Sequence, residues 1–336
     1  MTISTCTRGQ LEDLAARALQ AANTSPAIAS AVARALVQAE IDGQAGHGLA
    51  RVPSYAAQAR SGKVDGAAVP EWRPTRAGSA MVDVRHGFAY PAFELAIEQL
   101  PKLAAASGIA AAGFVRSHHA GVLGWHMERL ADAGLIALAF ANTPQAMTAW
   151  GGTRPLFGTN PIAFAAPRLS GPPIVIDLAL SLVARGKIQA AALKGEAIPP
   201  DWALDAQGLP TTDAKAAMAG TLAPAGGVKG AALALMVELL AAAVTGANFA
   251  GEASSFFEGE GAAPGVGQLF IAVDPDAFAG RARVLERIEM LAGAIEHDAG
   301  ARLPGSRRLE RRSEAARNGI GVEQGVLANL EKLATG

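Results

Sequence analysis

Apolar positions recur at one-turn spacing near the start of the chain. Leu11, Leu14 and Leu19 follow Thr7–Gln10, a Thr-x-x-Gln run that reads as a capping box. Ile28, Val32 and Leu36 follow Ser25 and Pro26, an N-cap residue with proline at the first helical position, and this helix is predicted to run out at Asp42-Gly43. From about Ala80 the apolar runs shorten to strand length: Met81–Val84, Ile109–Val115, Leu135–Ala141, Ile162–Ala166, Ile174–Ile176 and Leu269–Val273. Helices over Pro91–Ala106 and Gly124–Ala133 separate the first three, and such alternation predicts an α/β fold. Lys194–Ala225 is polar and rich in Pro, Gly and Asp, so it reads as a long surface excursion. Ala231–Val244 is apolar but interrupted by Glu238 and short of the ~20 residues a membrane span needs, which makes it a buried or interface helix. Two helical stretches, Arg281–His297 and Glu310–Leu333, close the chain.

Composition narrows the class without naming an activity. With 336 residues, 50% of them hydrophobic, the chain can bury a full core in two packed lobes. Lys plus Arg is 29 against 30 for Asp plus Glu, a net charge of -1, so neither a nucleic-acid groove nor a polybasic membrane patch is expected. The one cysteine, Cys6, has no partner for an internal disulfide, and with no export signal in the polar N-terminus a cytoplasmic protein is expected. Cys6 falls at an end expected to be mobile, directly before a helix start, and is set aside as a catalytic thiol.

The usual dinucleotide fingerprint is missing. Gly265-x-Gly267 has Phe270 in place of a third glycine and precedes a strand, whereas the fingerprint must follow one. The histidines stand at 47, 86, 118, 119, 126 and 297, with no spacing that suits a metal, so no metal site is expected. His47 lies between Gly46 and Gly48, and Arg51 supplies a planar fork four residues on. A titrating imidazole beside a carboxylate clamp is what reduction of a 2-oxo acid requires. On these residues alone the plainer reading has priority: a packed loop histidine and a solvated arginine. Other segments carry the same two readings. Arg116–Gly121 ends a strand and opens a helix, so its N–H groups are candidates for a phosphate. Phe157-Gly158-Thr159-Asn160-Pro161 is a tight turn, Asp177–Ser181 ends a strand ahead of Arg185-Gly186-Lys187, and Gly226–Gly230 precedes a long helix.

In this order, and over nearly the whole chain, the segments resemble the malate/L-lactate dehydrogenase family. That family also holds sulfolactate, ureidoglycolate and diketogulonate enzymes and the cyclic-imine carboxylate reductases. The resemblance rests on Asp42-Gly43 with His47-Gly48 and Arg51, on Ser117-His118-His119, on Pro155–Pro161, on Asp177–Lys187, on Gly226–Gly230 and on Leu303-Pro304-Gly305. It implies a non-Rossmann α/β fold for NAD(P)H with a mixed sheet, a helical part built from both chain ends, and a homodimer. The implied division is 1–75, helical and carrying the catalytic histidine; 76–280, binding cofactor and substrate; and 281–336, returning to the N-terminal part.

Carried over residue by residue, the resemblance makes His47 the acid/base, Arg51 the substrate carboxylate clamp and Thr159 a substrate contact. The implied cofactor positions are His119, Ala120, Gly121, Val122 and Leu123; Asp177, Leu178 and Ala179; Val228 and Lys229; and Leu303, Pro304, Gly305, Ser306, Arg307 and Arg308. Two catalytic positions depart from the imine-reductase pattern. Gly46 stands where the family commonly has serine, and Lys187 where those reductases have the aspartate of a Ser-His-Asp relay. The expected activity is therefore NAD(P)-dependent interconversion of a small 2-oxo acid and its 2-hydroxy acid, of malate, lactate or sulfolactate type. The alternative is reduction of pyrroline- or piperideine-2-carboxylate, and a cofactor binder without turnover is the third reading. Arg307 and Arg308 tilt the expected cofactor from NAD toward NADP.

Overall fold

A computed structural model describes residues 2–335. The chain begins with strand β1 (Ile3–Cys6) and helices α1 (Arg8–Gln20) and α2 (Pro26–Ile41), then makes two 3-10 turns, Ala45–His47 and Leu49–Arg51, into α3 (Val52–Ser61). The central part runs β2 (Glu71–Arg76), β3 (Ser79–Asp83), α4 (Ala89–Ser107), β4 (Ile109–Ser117), α5 (Leu123–Asp132) and β5 (Ile136–Ala141). It continues through β6 (Met147–Thr148), β7 (Pro155–Phe157), β8 (Ile162–Ala166), β9 (Ile174–Leu178) and α6 (Arg185–Lys194). Next come β10 (Ala203–Leu204), α7 (Ala214–Ala219), β11 (Thr221–Leu222), α8 (Val228–Glu238) with a wider π turn over Leu239–Ala243, and β12 (Val266–Val273). The chain closes with α9 (Arg281–His297), α10 (Ser306–Asn318), β13 (Ile320–Glu323) and α11 (Gln324–Ala334).

Every run expected to be a strand is one, and together they build a seven-stranded mixed sheet in the order β2-β3-β4-β12-β5-β8-β9. Only β3 and β4 run parallel within it. Alanines on β4 and on α4 (Ala110, Ala112, Ala92, Ala96) are fully buried, which lets helix and sheet approach closely around Phe93, Phe114 and Phe270. Burying each such phenyl ring contributes roughly 1.5–3 kcal/mol. The capping box forms: the Thr7 hydroxyl accepts from the Gln10 amide (3.2 Å) and Gln10 Oε1 from the Thr7 amide (2.8 Å).

Three expectations are corrected. Glu310–Leu333 is not one helical stretch: Gly319, at φ +80°, turns the chain into β13 between α10 and α11. That strand pairs with β1, so Cys6 lies opposite Ile320 in a ladder rather than in a loose end. Lys194–Ala225 is not merely an excursion, because β10 and β11 join β6 and β7 in a second sheet whose core includes Ile198, Ala203, Ala217 and Leu222. Strand β2 escapes a pattern reading because its residues are largely exposed and charged. Among the described residues no helix is long and apolar enough to cross a membrane. Helix α8 buries Ala231, Ala234 and Val237 but exposes Leu233, Leu235 and Met236, with Leu239 exposed just beyond.

Candidate active site

Strands β4, β5 and β9 end, and β12 and β8 begin, on one edge of the large sheet, as their registers require. That edge receives most of the sequence-predicted residues. Leaving β4, the chain places His118 and His119, and the His118 carbonyl accepts from the Gln268 amide on β12 (3.1 Å). Helix α3 reaches the same point with Tyr55, whose hydroxyl lies 2.6 Å from His119 Nδ1 and 3.1 Å from the Tyr90 hydroxyl. Burial raises the Tyr55 pKa to about 12, so its hydroxyl keeps its proton between the His119 ring and the Tyr90 hydroxyl.

His47 stacks on His119, with ring centroids 5.2 Å apart and planes 22° from parallel. Desolvation, then the positive charge of Arg51, lowers the His47 pKa to about 4. His119 is held well below the ordinary histidine value first by burial and then by Arg51, His47 and His118. Both rings are therefore neutral near neutral pH. A Cβ at Gly48 would displace the Glu40 carboxylate that accepts from the Leu49 amide, so glycine there preserves that bond. Gly46 is not forced, since a Cβ would meet nothing within 4 Å. Its backbone has a task nonetheless: the Gly46 carbonyl accepts from Arg51 Nε at 2.8 Å. The Arg51 guanidinium also lies 4.5 Å from the centroid of the Phe257 ring. Held on one edge and one face, it keeps its two terminal amino groups for a carboxylate.

The candidate cofactor residues fall into neighbouring groups. Asp177, at the end of β9, accepts from the Gly124 amide at 2.7 Å and so occupies part of the α5 N-terminus that the sequence offered to a phosphate. Burial, offset partly by Gly124 and Arg308, raises its pKa to about 6. Gly305 (φ +86°) caps α10, and its Cα side faces the Val175 carbonyl on β9. His119, Ala120, Gly121, Val122 and Leu123 thus lead into one helix start beside Asp177, and Leu303, Pro304, Gly305 and Ser306 into another. The two arginines diverge. Arg308 turns inward to Glu128 (3.2 Å), its Nε buried without a protein partner, while Arg307 faces out. Val228 and Lys229 open α8 after Gly226 (φ +73°) and Gly227 (φ +63°), beside Trp150. Open helix starts, an orphaned guanidinium nitrogen and glycine cradles suit a dinucleotide's phosphates. Leu178 and Ala179 are exposed at the end of β9, where an apolar ring would find them.

Thr159 lies in the turn before β8, where its amide donates to the Thr143 hydroxyl (2.9 Å) and its carbonyl accepts from Leu180 (2.8 Å). Lys187 is exposed in the first turn of α6, and among the described residues no hydrogen bond or ion pair joins it to His47 or Arg51. No group of three metal-ligating side chains occurs among the described residues.

Sequence reading missed Tyr55 and Tyr90, which look like ordinary core aromatics. It also missed what Glu238 does. This buried carboxylate accepts from Asn160 (2.8 Å), Asn142 (3.2 Å) and the Ala250 amide (2.6 Å), which secures the turn carrying Thr159. A lone charge in an apolar stretch was the signal. A third unannounced group is the ion-pair chain in which Arg312 grips Asp42 (2.6 and 2.8 Å) and Glu128 (2.8 Å).

The His47 and His119 imidazoles, neutral near neutral pH, thus stand beside an anchored guanidinium whose terminal amino groups are free. The chain belongs to the malate/L-lactate dehydrogenase family, whose model matches residues 6–331. It is 53% identical over 306 residues to a (2R)-3-sulfolactate dehydrogenase (NADP(+)) of Chromohalobacter salexigens, covering 91% of each chain. It is 41% identical to a Delta(1)-pyrroline-2-carboxylate/Delta(1)-piperideine-2-carboxylate reductase of Pseudomonas syringae pv. tomato, over 97% of this chain and 95% of that one. The crystal structure of delta1-piperideine-2-carboxylate reductase from P. syringae pv. tomato superposes with a TM-score of 0.93 at 40% identity, over 98% of this chain and 99% of that one.

Proposed function

We propose that the protein is an NADP(H)-dependent oxidoreductase interconverting a small 2-oxo acid and its 2-hydroxy acid, with a sulfolactate-type substrate as the first candidate. The observation that carries this is the Arg51 fork set beside the His47–His119 pair. The 53% identical sulfolactate dehydrogenase supports the substrate class and NADP. Arg51 binds the carboxylate through its two free amino groups, which turns the C2 oxygen toward the imidazoles. The bound nicotinamide supplies or removes the hydride at C2. His119 to Leu123, Asp177 to Ala179, Val228, Lys229 and Leu303 to Arg308 hold it. His47, neutral at rest, takes the hydroxyl proton in oxidation; a substrate carboxylate on Arg51 cancels the charge that opposes its protonation.

A screen of oxaloacetate, pyruvate and sulfopyruvate against pyrroline- and piperideine-2-carboxylate, with NADPH and NADH, tests the reading at the nicotinamide absorbance. Oxo acids with NADPH are expected to be turned over fastest. Efficient reduction of the cyclic imines with no oxo-acid activity would replace the proposal with imine reduction. Arg51→Lys is expected to raise the KM for the oxo acid about tenfold or more, since an ammonium cannot form the two-point bond. An unchanged KM would place the carboxylate elsewhere.

The protein is further proposed to be a cytoplasmic homodimer. The exposed apolar side of α8, with Leu233, Leu235 and Met236, supports a second copy there. Sedimentation as a monomer at micromolar concentration would refute it. The division at 1–75, 76–280 and 281–336 goes with the proposal, supported by the β1–β13 ladder and the Arg312–Asp42 pair.

A further inference from the structure

Gln58 and Ser61 of α3, and Lys63 just beyond it, turn toward one loop. Lys63 is only 2% exposed, and its ammonium donates to the carbonyls of Ser255 (2.8 Å), Glu258 (3.0 Å) and Glu260 (3.1 Å). An ammonium has three hydrogens, so these bonds use it completely. Gln58, fully buried, gives both amide hydrogens to the same loop, at the carbonyls of Phe256 (2.9 Å) and Glu258 (3.0 Å). Its remaining oxygen lies 2.8 Å from His118 Nε2, which must therefore carry the proton. The Ser61 hydroxyl donates to the Gly259 carbonyl at 2.6 Å. Among the described residues Lys63 has no carboxylate within ion-pairing distance of its ammonium; the loop's backbone takes that place. A cation buried in this way destabilises the fold unless its hydrogen bonds compensate, so the arrangement marks a loop that must be held.

What the loop holds is aromatic. Phe256 packs on His118 (5.4 Å between centroids) and His119 (5.0 Å), and the next residue, Phe257, lies against Arg51. One short segment thus touches both the imidazoles and the carboxylate fork. Phe257 remains 57% exposed, so its free surface borders the space in front of the fork.

We propose that Lys63 is a positioning residue of the active site: by latching the 254–260 loop it fixes Phe257 against Arg51 and so sets the direction in which the fork presents itself to substrate. This rests on the carboxylate-binding role of Arg51 proposed above. The fork has two fixed supports, the Gly46 carbonyl at its edge and the Phe257 ring on its face. Release of the loop removes the second while leaving the first. The carbon chain of a bound acid leaves the fork beside the ring, which forms its wall.

The test uses the whole protein and the oxo acid it turns over best. Lys63→Met is expected to speed amide hydrogen exchange across residues 252–262 and to raise the KM for the acid about tenfold, the worth of one charge-assisted hydrogen bond. Both kcat and the dissociation constant for NADPH should stay within about threefold, because truncations away from reacting atoms remove only this binding. Phe257→Leu should raise KM alike with exchange in the loop unchanged. Ser61→Ala removes the hydroxyl's bond to the Gly259 carbonyl and its local bonds to Gln58 and the Lys63 amide but leaves the Lys63 ammonium with its three carbonyls, so it serves where Lys63→Met fails to fold, and a smaller shift of both readouts is expected. Faster exchange with an unaltered KM would reduce Lys63 to a structural staple and overturn the proposal, as would unaltered exchange. Failure of the functional reading looks different: the unsubstituted protein itself would turn over none of the 2-oxo acids, and both proposals would fall together.

Discussion

His47→Ala is expected to slow turnover by a factor of about 10²–10⁴, the usual worth of a positioned general acid or base. The imidazole has no competing duty in the fold. Its Nδ1 is buried without a protein partner, its ring rests on His119, and the helix start after it is held by the Glu40 carboxylate rather than by His47. Cofactor binding, measured by nicotinamide fluorescence, should therefore change little. The pH profile supplies a second readout. Oxidation of the hydroxy acid needs the neutral ring, so kcat/KM in that direction should be flat through neutrality and fall only as pH approaches about 4. In His47→Ala that acid limb should vanish along with the rate. Turnover near that of the unsubstituted protein at every pH would remove His47 from the chemistry and leave His119 as the remaining imidazole.

Acid should unfold this protein early. Burial, the leading cause in each case, lowers His118 and His126 to about 3, His47 to about 4 and His119 well below its ordinary value. The unfolded chain binds these protons near the ordinary value of 6.5, the folded chain only far lower. Below that value the unfolded state therefore holds more protons, and stability falls as pH falls, down to the folded-state values. Each such histidine costs about 1.4 kcal/mol per pH unit over the window, and several act together. His126 is the cleanest probe. It packs among Tyr90, Phe93 and Trp125 with neither ring nitrogen bonded to protein. His126→Phe should flatten the slope by one histidine's share while leaving every hydrogen bond to His47, Arg51 and His119 in place. A urea midpoint that stays put between about pH 7 and about pH 5 would contradict the window that these shifts define.

The sheet was legible because its strands are short aliphatic runs separated by amphipathic helices, a local signal. His47, Arg51 and the helix-start segments were legible through motif order, and the structure places His47, Arg51 and His119 at one point. What escaped is non-local or carried by backbone. The β1–β13 ladder joins Ile3 to Glu323, and no window of sequence contains both. Lys63 reads as a surface charge until the carbonyls of the 255–260 segment are seen around it. Tyr55 and Tyr90 fit a core equally well, and only their hydroxyls reveal the line to His119. Lys187 was singled out through the resemblance alone, and it stands exposed in the first turn of α6.

The grip of Arg312 on Asp42 bears on how the protein is made. Asp42 caps the helix that leads directly into the His47 turns, and its partner lies 270 positions later in the sequence. The strand that pairs with Ile3–Cys6 comes later still. Once β12 has left the ribosome every strand of the large sheet is available to pair, but the ends of the chain still have nothing to close against. Contacts of such separation form late and slowly. A nascent chain stalled before Arg312 should thus carry a folded sheet with the His47 turns unfinished. Release from the ribosome, rather than assembly of the sheet, becomes the step at which activity begins.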